Sequence, residues 1–211
     1  MPRPNNLPHR GNNRNAQNRT ATSQNQRSST LIIDEDKQRE LEQNKHDLFE
    51  LIKDDKGFCD EHGIRYEVAE KIERFAEYLN AVYVQNDSDV GVTSSSIRNI
   101  YDNYISIKRK FQTVQLEQRE IEDAETRKEN AFMKIRPELI FAKSKVNYIV
   151  ERKLKEERNE AEKQIKKLSY NALKEFIDIS TSKITTSYKQ FEAFMEIFET
   201  LLGFMKWDNK N

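Results

Sequence analysis

Arg98 and Arg109 stand eleven residues apart, about three full turns if the segment is helical, so they share one face. Lys108 and Lys110 flank the second of them. A second basic cluster, Lys134, Arg136, Lys143 and Lys145, surrounds Leu139, Ala142, Val146 and Ile149, with Glu138 as the one acid among them. Those four apolar residues recur at helical spacing and predict a buried stripe. An apolar stripe with a basic shoulder can pack into a bundle and still offer cations to a polyanion. Such cations grip phosphate without reading bases, and their hold weakens as salt rises. The plain alternative is a core helix whose lysines are merely solvated. Pro137 lies inside the second cluster and is the only proline beyond residue 8. It lacks a backbone donor, so the sequence predicts that a helix kinks or restarts there.

Other chemistry is thinly represented. Cys59 and His62 have the spacing of a metal-ligand pair, but no second pair accompanies them, and His46 is the only further histidine outside the first thirty residues. The expectation is no metal and no cofactor. The glycines are isolated, so no phosphate-cradling loop is expected, and neither a Gly-x-Ser-x-Gly elbow nor a His-Glu-x-x-His pair occurs. The sequence argues against an enzyme.

The elements that would carry these residues follow from composition. Of 211 residues, 34% are charged and 36% hydrophobic, with five glycines. That balance suits helices with charged outer faces. No run of about 18 apolar residues appears, so no membrane-spanning helix is expected. A lone cysteine, Cys59, and a start without an apolar signal core lead us to expect a cytoplasmic protein. The 36 basic and 36 acidic residues balance overall, but residues 1–30 hold five arginines and no acid, leaving the rest at −5. Binding to nucleic acid would therefore rest on a local patch and on partners.

The fold class read from the sequence is all-α, a helical bundle of about five to six helices over roughly residues 34–207, with no sheet. Residues 1–30, rich in Asn, Gln, Arg, Ser and Thr, are expected to form a disordered tail. Asp34 to Lys56 predicts a helix with Leu41, Leu48, Leu51 and Ile52 inward, started by Asp34, Glu35 and Asp36 and ended by Gly57. Ile64 to Gln85 predicts a second, with Val68, Ile72, Phe75, Ala76, Leu79 and Tyr83 as its stripe. Asn86 to Val92 reads as a loop. Thr93-Ser94-Ser95-Ser96 supplies caps for a third helix bearing Ile97, Ile100, Tyr101, Tyr104, Ile105 and Phe111. Local rules run that helix on to Ile135. Residues 115–130 and 150–168 are charged segments with thin apolar seams, which could pair as an antiparallel extension. Ser169 to Ser182 predicts a short amphipathic helix. The helix from Ile184 to Trp207 is apolar on two faces, so it is central or shared with another subunit. Phe191, Phe194, Phe198 and Leu201 on these seams are the candidate subunit interface.

Several segments occur in a recognisable order: Ala69-Glu70-Lys71-Ile72, Thr93 to Arg98, Lys134-Ile135-Arg136-Pro137-Glu138-Leu139-Ile140-Phe141-Ala142, Leu173 to Ile177, and Phe191-Glu192-Ala193-Phe194. Over roughly residues 64–207 the chain resembles the small subunit of the type III-A CRISPR effector, the Csm complex. The family continues its proline motif with Gly-Arg where this chain has Lys143-Ser144-Lys145, keeping positive charge. The family pattern also breaks the helix somewhere between Phe111 and Glu122, and we follow it over the local rules. The resemblance implies a bundle at 63–207 with a charged helical insertion at about 150–168, preceded by an additional helix at 31–62. It implies a non-catalytic, RNA-binding structural subunit of an antiviral-defence ribonucleoprotein. Its partners would be guide RNA, target RNA, further copies of itself, and the backbone and large subunits, with no membrane. Arg98, Lys108, Arg109, Lys134, Arg136, Lys143 and Lys145 would touch the RNA backbone. The competing reading is a helical scaffold that binds protein alone.

Overall fold

A computed structural model describes residues 31–85, 90–157 and 159–205. The predicted tail at 1–30, part of the predicted 86–92 loop and the end of the terminal helix at Trp207 lie outside the described residues. Six helices carry the fold: α1 (Glu35–Lys53), α2 (Tyr66–Leu79), α3 (Ser94–Glu117), α4 (Ala124–Glu156), α5 (Glu160–Ile184) and α6 (Tyr188–Phe204). The all-α reading holds. The expected absence of any sheet does not. Two short antiparallel ladders of two residues per strand tie loops together. In one, β1 (Ile32–Ile33) pairs with β4 (Val84–Gln85); in the other, β2 (Cys59–Asp60) pairs with β3 (Gly63–Ile64).

Most helix starts sit where side chains can cap them. The carboxylate of Asp34 accepts from the Lys37 N–H at 2.9 Å. The Thr93, Asp123, Asn159 and Ser187 side chains open α3, α4, α5 and α6 in the same way. Helix ends differ more from expectation. α2 stops at Leu79, six residues short of the predicted Gln85, because Ala81 adopts φ +50°. The Val82 N–H donates to the Glu77 carbonyl at 3.2 Å and the Ala81 N–H to the Tyr78 carbonyl at 3.0 Å. This is a Schellman ending with alanine where glycine is usual, so composition carries no stop signal. Tyr83 is buried as expected, but from the turn beyond the helix.

The break between α3 and α4 falls at Gln118–Asp123, against the local reading of one helix through to Ile135 and overlapping the expected interval between Phe111 and Glu122. Pro137, in contrast, neither ends nor restarts a helix, since α4 runs through it. Its ring removes the hydrogen bond to the Met133 carbonyl, and both residues are exposed, so water can take that acceptor. The short helix predicted at 169–182 is the second half of α5.

From Leu31 onward the chain forms one compact unit, so the additional N-terminal helix is no appendage. Leu41, Leu48, Phe49 and Ile52 of α1 enter the common core, and Phe49 meets Phe75 edge-on at 5.6 Å. α6 runs through the centre and touches α2, α3, α4 and α5. Phe194 lies 5.5 Å from Phe58, 5.1 Å from Tyr104, 6.2 Å from Phe176 and 5.4 Å from Phe198, ring centre to ring centre. Phe191, Phe194, Phe198 and Leu201 are fully buried. The expectation that these four form a subunit interface is corrected: all four face inward, because four helices surround α6. The predicted pairing of 115–130 with 150–168 also fails. α3 and α4 are antiparallel neighbours, with Lys110 beside Glu138 and Lys145 beside Asn103. Residues 115–130 therefore turn between α3 and α4, whereas residues 150–168 turn between α4 and α5 at the opposite end of a helix about 50 Å long.

Candidate nucleic-acid interface

α3 and α4 hold the sequence-predicted cations and carry the surface's positive bias. Together they contain thirteen basic and seven acidic residues, whereas α1 and α2 contain six basic and ten acidic. The bias exists because the inward faces are apolar (Ile97, Ile100, Tyr104, Ile107, Phe111 and Val114 on α3; Ile135, Leu139, Ala142, Val146 and Val150 on α4). Charges can then lie only on the flanks and outer faces.

The cations fall into three rows. Lys134 and Lys145 lie on the flank of α4 that meets α3, where Lys110 pairs with Glu138 and the Lys145 ammonium donates to Asn103 Oδ1 at 3.3 Å. Arg136 and Lys143 lie on the opposite flank, roughly 180° around the helix, where Lys143 pairs with Asp178 of α5 at 3.2 Å. Arg98 and Arg109 share a face of α3, as expected, but that face is turned about 120° from Asn103 and Lys110, the residues that meet α4. The two basic shoulders therefore do not merge into one patch; the antiparallel packing of α3 on α4 occupies one side of each helix. Lys108 lies on α3 between the Arg98–Arg109 face and the core, and is half-buried. The side chains of Arg109, Lys134 and Arg136 make no ion pair among the described residues and are exposed.

Sequence reasoning missed the outer face of α4. Met133 is 59% exposed, Ile140 55%, Phe141 65% and Tyr148 66%. With Pro137 and Ser144 they occupy one side of the helix, opposite the buried stripe. Their spacing is as helical as that of Leu139, Ala142 and Val146, but the signal hid behind the stronger inner stripe.

The Cys59–His62 pair sits in the β2–β3 hairpin. His62 is exposed, and the Cys59 thiol is raised by burial and by the neighbouring Asp60. Beside the hairpin, Gln190 of α6 accepts from the Phe58 N–H at 2.7 Å and donates to the carbonyls of Lys56 and Cys59 at 2.5 and 3.1 Å. Its amide holds the loop by main-chain bonds. No cluster of three or more metal-ligating side chains occurs among the described residues, and no helix of the described chain is long and apolar enough to cross a membrane. Comparison with protein-family models, curated proteins and solved structures gives no match.

Proposed function

We propose that this chain is a non-catalytic, RNA-binding structural subunit of a type III-A CRISPR ribonucleoprotein. It stacks beside the guide–target duplex in the cytoplasm and touches its phosphate backbone in antiviral defence. The observation that carries this reading is the surplus of cations on α3 and α4 of a chain that is otherwise acidic from residue 31 onward. The helix break at 118–123, which overlaps the interval between Phe111 and Glu122 where the Csm small-subunit pattern breaks its own helix, supports it as well. The role asks little of each side chain. Base pairing with the guide supplies sequence specificity, while the protein meets a backbone. Each phosphate is held weakly, and the effects multiply along a filament of copies.

Two paired substitutions test the reading: Arg98→Ala with Arg109→Ala on α3, and Lys134→Ala with Arg136→Ala on α4. Each pair should weaken target binding by the assembled complex about equally for all target sequences. Each should also flatten the slope of log affinity against log salt, by about 0.9 for every duplex phosphate that no longer meets a cation. A tagged wild-type chain from its host should carry a guide RNA with a repeat-derived end. Unchanged affinity and slope in both paired variants would reject the RNA contact.

A second reading has its own observation. The exposed apolar side of α4 offers nothing to phosphate and favours a protein contact, either in place of the RNA contact or beside it.

A further inference from the structure

The outer side of α4 combines two features that are seldom found together on a solvent face. Met133, Pro137, Ile140, Phe141, Ser144 and Tyr148 form a continuous strip, about 22 Å long at 1.5 Å per residue. Ser144 scarcely interrupts it, because its hydroxyl donates to the Phe141 carbonyl at 2.8 Å and is already engaged. Exposed large apolar residues are common singly; in a row they mark a contact surface. The strip is also framed. Lys134 and Lys145 lie along one edge and Arg136 and Lys143 along the other, each row roughly 90° around the helix from the strip's midline. Glu138 is the one acid between Lys134 and Tyr148, and Lys110 holds it.

We propose that this face of α4 docks an amphipathic helix of a partner protein whose apolar stripe is bordered by carboxylates on both sides. The spacing of the strip, with steps of three and four residues, is that of a helix seam, and an incoming helix would lay its own seam along it. The two cation rows then meet the partner's flanking positions, where opposite charge selects the partner and its register. Pairing with the same face of a second copy is disfavoured by the same arrangement, since cation rows would meet cation rows. Nucleic acid fits less well. Phe141 and Tyr148 could stack on bases, but Met133, Pro137 and Ile140 contribute apolar surface that only another apolar surface can cover favourably. The inference goes beyond the RNA reading; the two share the cations of α4, and only this one needs the apolar strip.

Fluorescence anisotropy of the full chain with two synthetic helices tests the proposal. Both probes carry leucine at the seam positions; one has glutamate and the other lysine at the flanking positions. The glutamate probe should bind and weaken with salt, and the lysine probe should not bind. Ile140→Ser combined with Phe141→Ser, which leaves every cation in place, should weaken the glutamate probe about tenfold, a loss of about 1.4 kcal/mol. Lys134→Glu combined with Arg136→Glu should reverse the preference toward the lysine probe. All four positions are exposed, and circular dichroism should report an unchanged fold. The proposal is overturned if the glutamate probe fails to bind, if both probes bind alike, or if the serine variant binds as wild type does. It is also overturned if the chain self-associates through the strip and the serine variant does not, or if polyuridylate RNA binds the wild-type chain and loses that binding in the serine variant, which keeps every cation. Arg98→Ala with Arg109→Ala lies on another face and should leave probe binding unchanged, so failure of the RNA reading and failure of this one give different results.

Discussion

Arg65 is the one charged side chain buried among the described residues, at 8% exposure. It sits where α1 has ended and α2 has not begun. Its Nη1 donates to the Leu51 carbonyl at 2.9 Å, the Gly57 carbonyl at 3.0 Å and Asp54 Oδ1 at 2.8 Å. One guanidinium thus ties the end of α1 to the turn after it, and the Gly57 carbonyl it meets is in a buried bond. Burial works to raise the Asp54 carboxyl, but the Gly57 and Lys56 N–H groups and Arg65 outweigh it, so Asp54 titrates below the ordinary carboxylate range. A carboxyl lowered in the folded state stabilises the fold above its unfolded pKa of about 3.9 and loses that contribution as pH falls through its folded value. Arg65→Ala should destabilise the chain by about 3 kcal/mol in urea unfolding at pH 7, since it strands the acceptors it leaves behind. Asp54→Asn should lower stability at pH 7 yet show a smaller further drop between pH 4 and pH 2 than wild type does. Equal drops in both proteins would remove Asp54 from the account.

At the scale of elements, α4 contradicts the ordinary effect of proline. An interior proline costs a helix about 3 kcal/mol through its missing donor and the clash with the preceding turn. Here Leu139, Ala142, Val146 and Val150 anchor the helix beyond Pro137, while Phe132 and Ile135 anchor it before. Packing on both sides holds one helix across the defect. Pro137→Ala should therefore raise stability, by about 2 kcal/mol, and lift the melting temperature by several degrees. A variant no more stable than wild type would mean that the backbone at Pro137 has settled into a shape that alanine does not prefer. The helix starts make the complementary point. Thr93, whose hydroxyl accepts from the Ser96 N–H at 3.3 Å, and Asp123, whose carboxylate accepts from the Thr126 N–H at 2.8 Å, act over three residues. Thr93 is recognisable as a cap candidate from sequence; Asp123 is not, because the charged residues around it are good helix formers and mask the stop.

For the whole molecule, the position of α6 decides between two meanings of the same sequence. A helix apolar on two faces suits a central place in one core or a shared surface between chains, and periodicity is identical in both cases. The aromatic contacts of Phe194 with residues of α3, α5, α6 and the turn before β2 put it in the core of its own chain. Phe194→Ala should cost about 4 kcal/mol as a core cavity, and its melting temperature should not depend on protein concentration. A destabilisation that vanished at low concentration, where wild type is equally weak, would restore the interface reading.

Local features were legible from sequence wherever the physics acts within a turn or two. The inward stripes of α1, α2 and α3, the Thr93 cap and the shared face of Arg98 and Arg109 all follow from the 3.6-residue period and from side chains reaching N–H groups three positions away. The cations were equally legible, since charge is a property of the residue. The end of α2 at Leu79, the continuity of α4 through Pro137 and the inward turn of Phe191, Phe194, Phe198 and Leu201 on α6 were not. Each depends on a neighbour distant in the chain: the Leu79 carbonyl receives the Val92 N–H at 2.7 Å, and α4 is held at each end by packing. The division of the cations into three rows belongs with these. Sequence determines which residues carry charge and which side of a helix they share; only the contact of α3 with α4, and of α4 with α5, decides which of those sides remains open to a partner. Burial is a pairwise property of surfaces, and a single helix's pattern names a surface without naming what covers it.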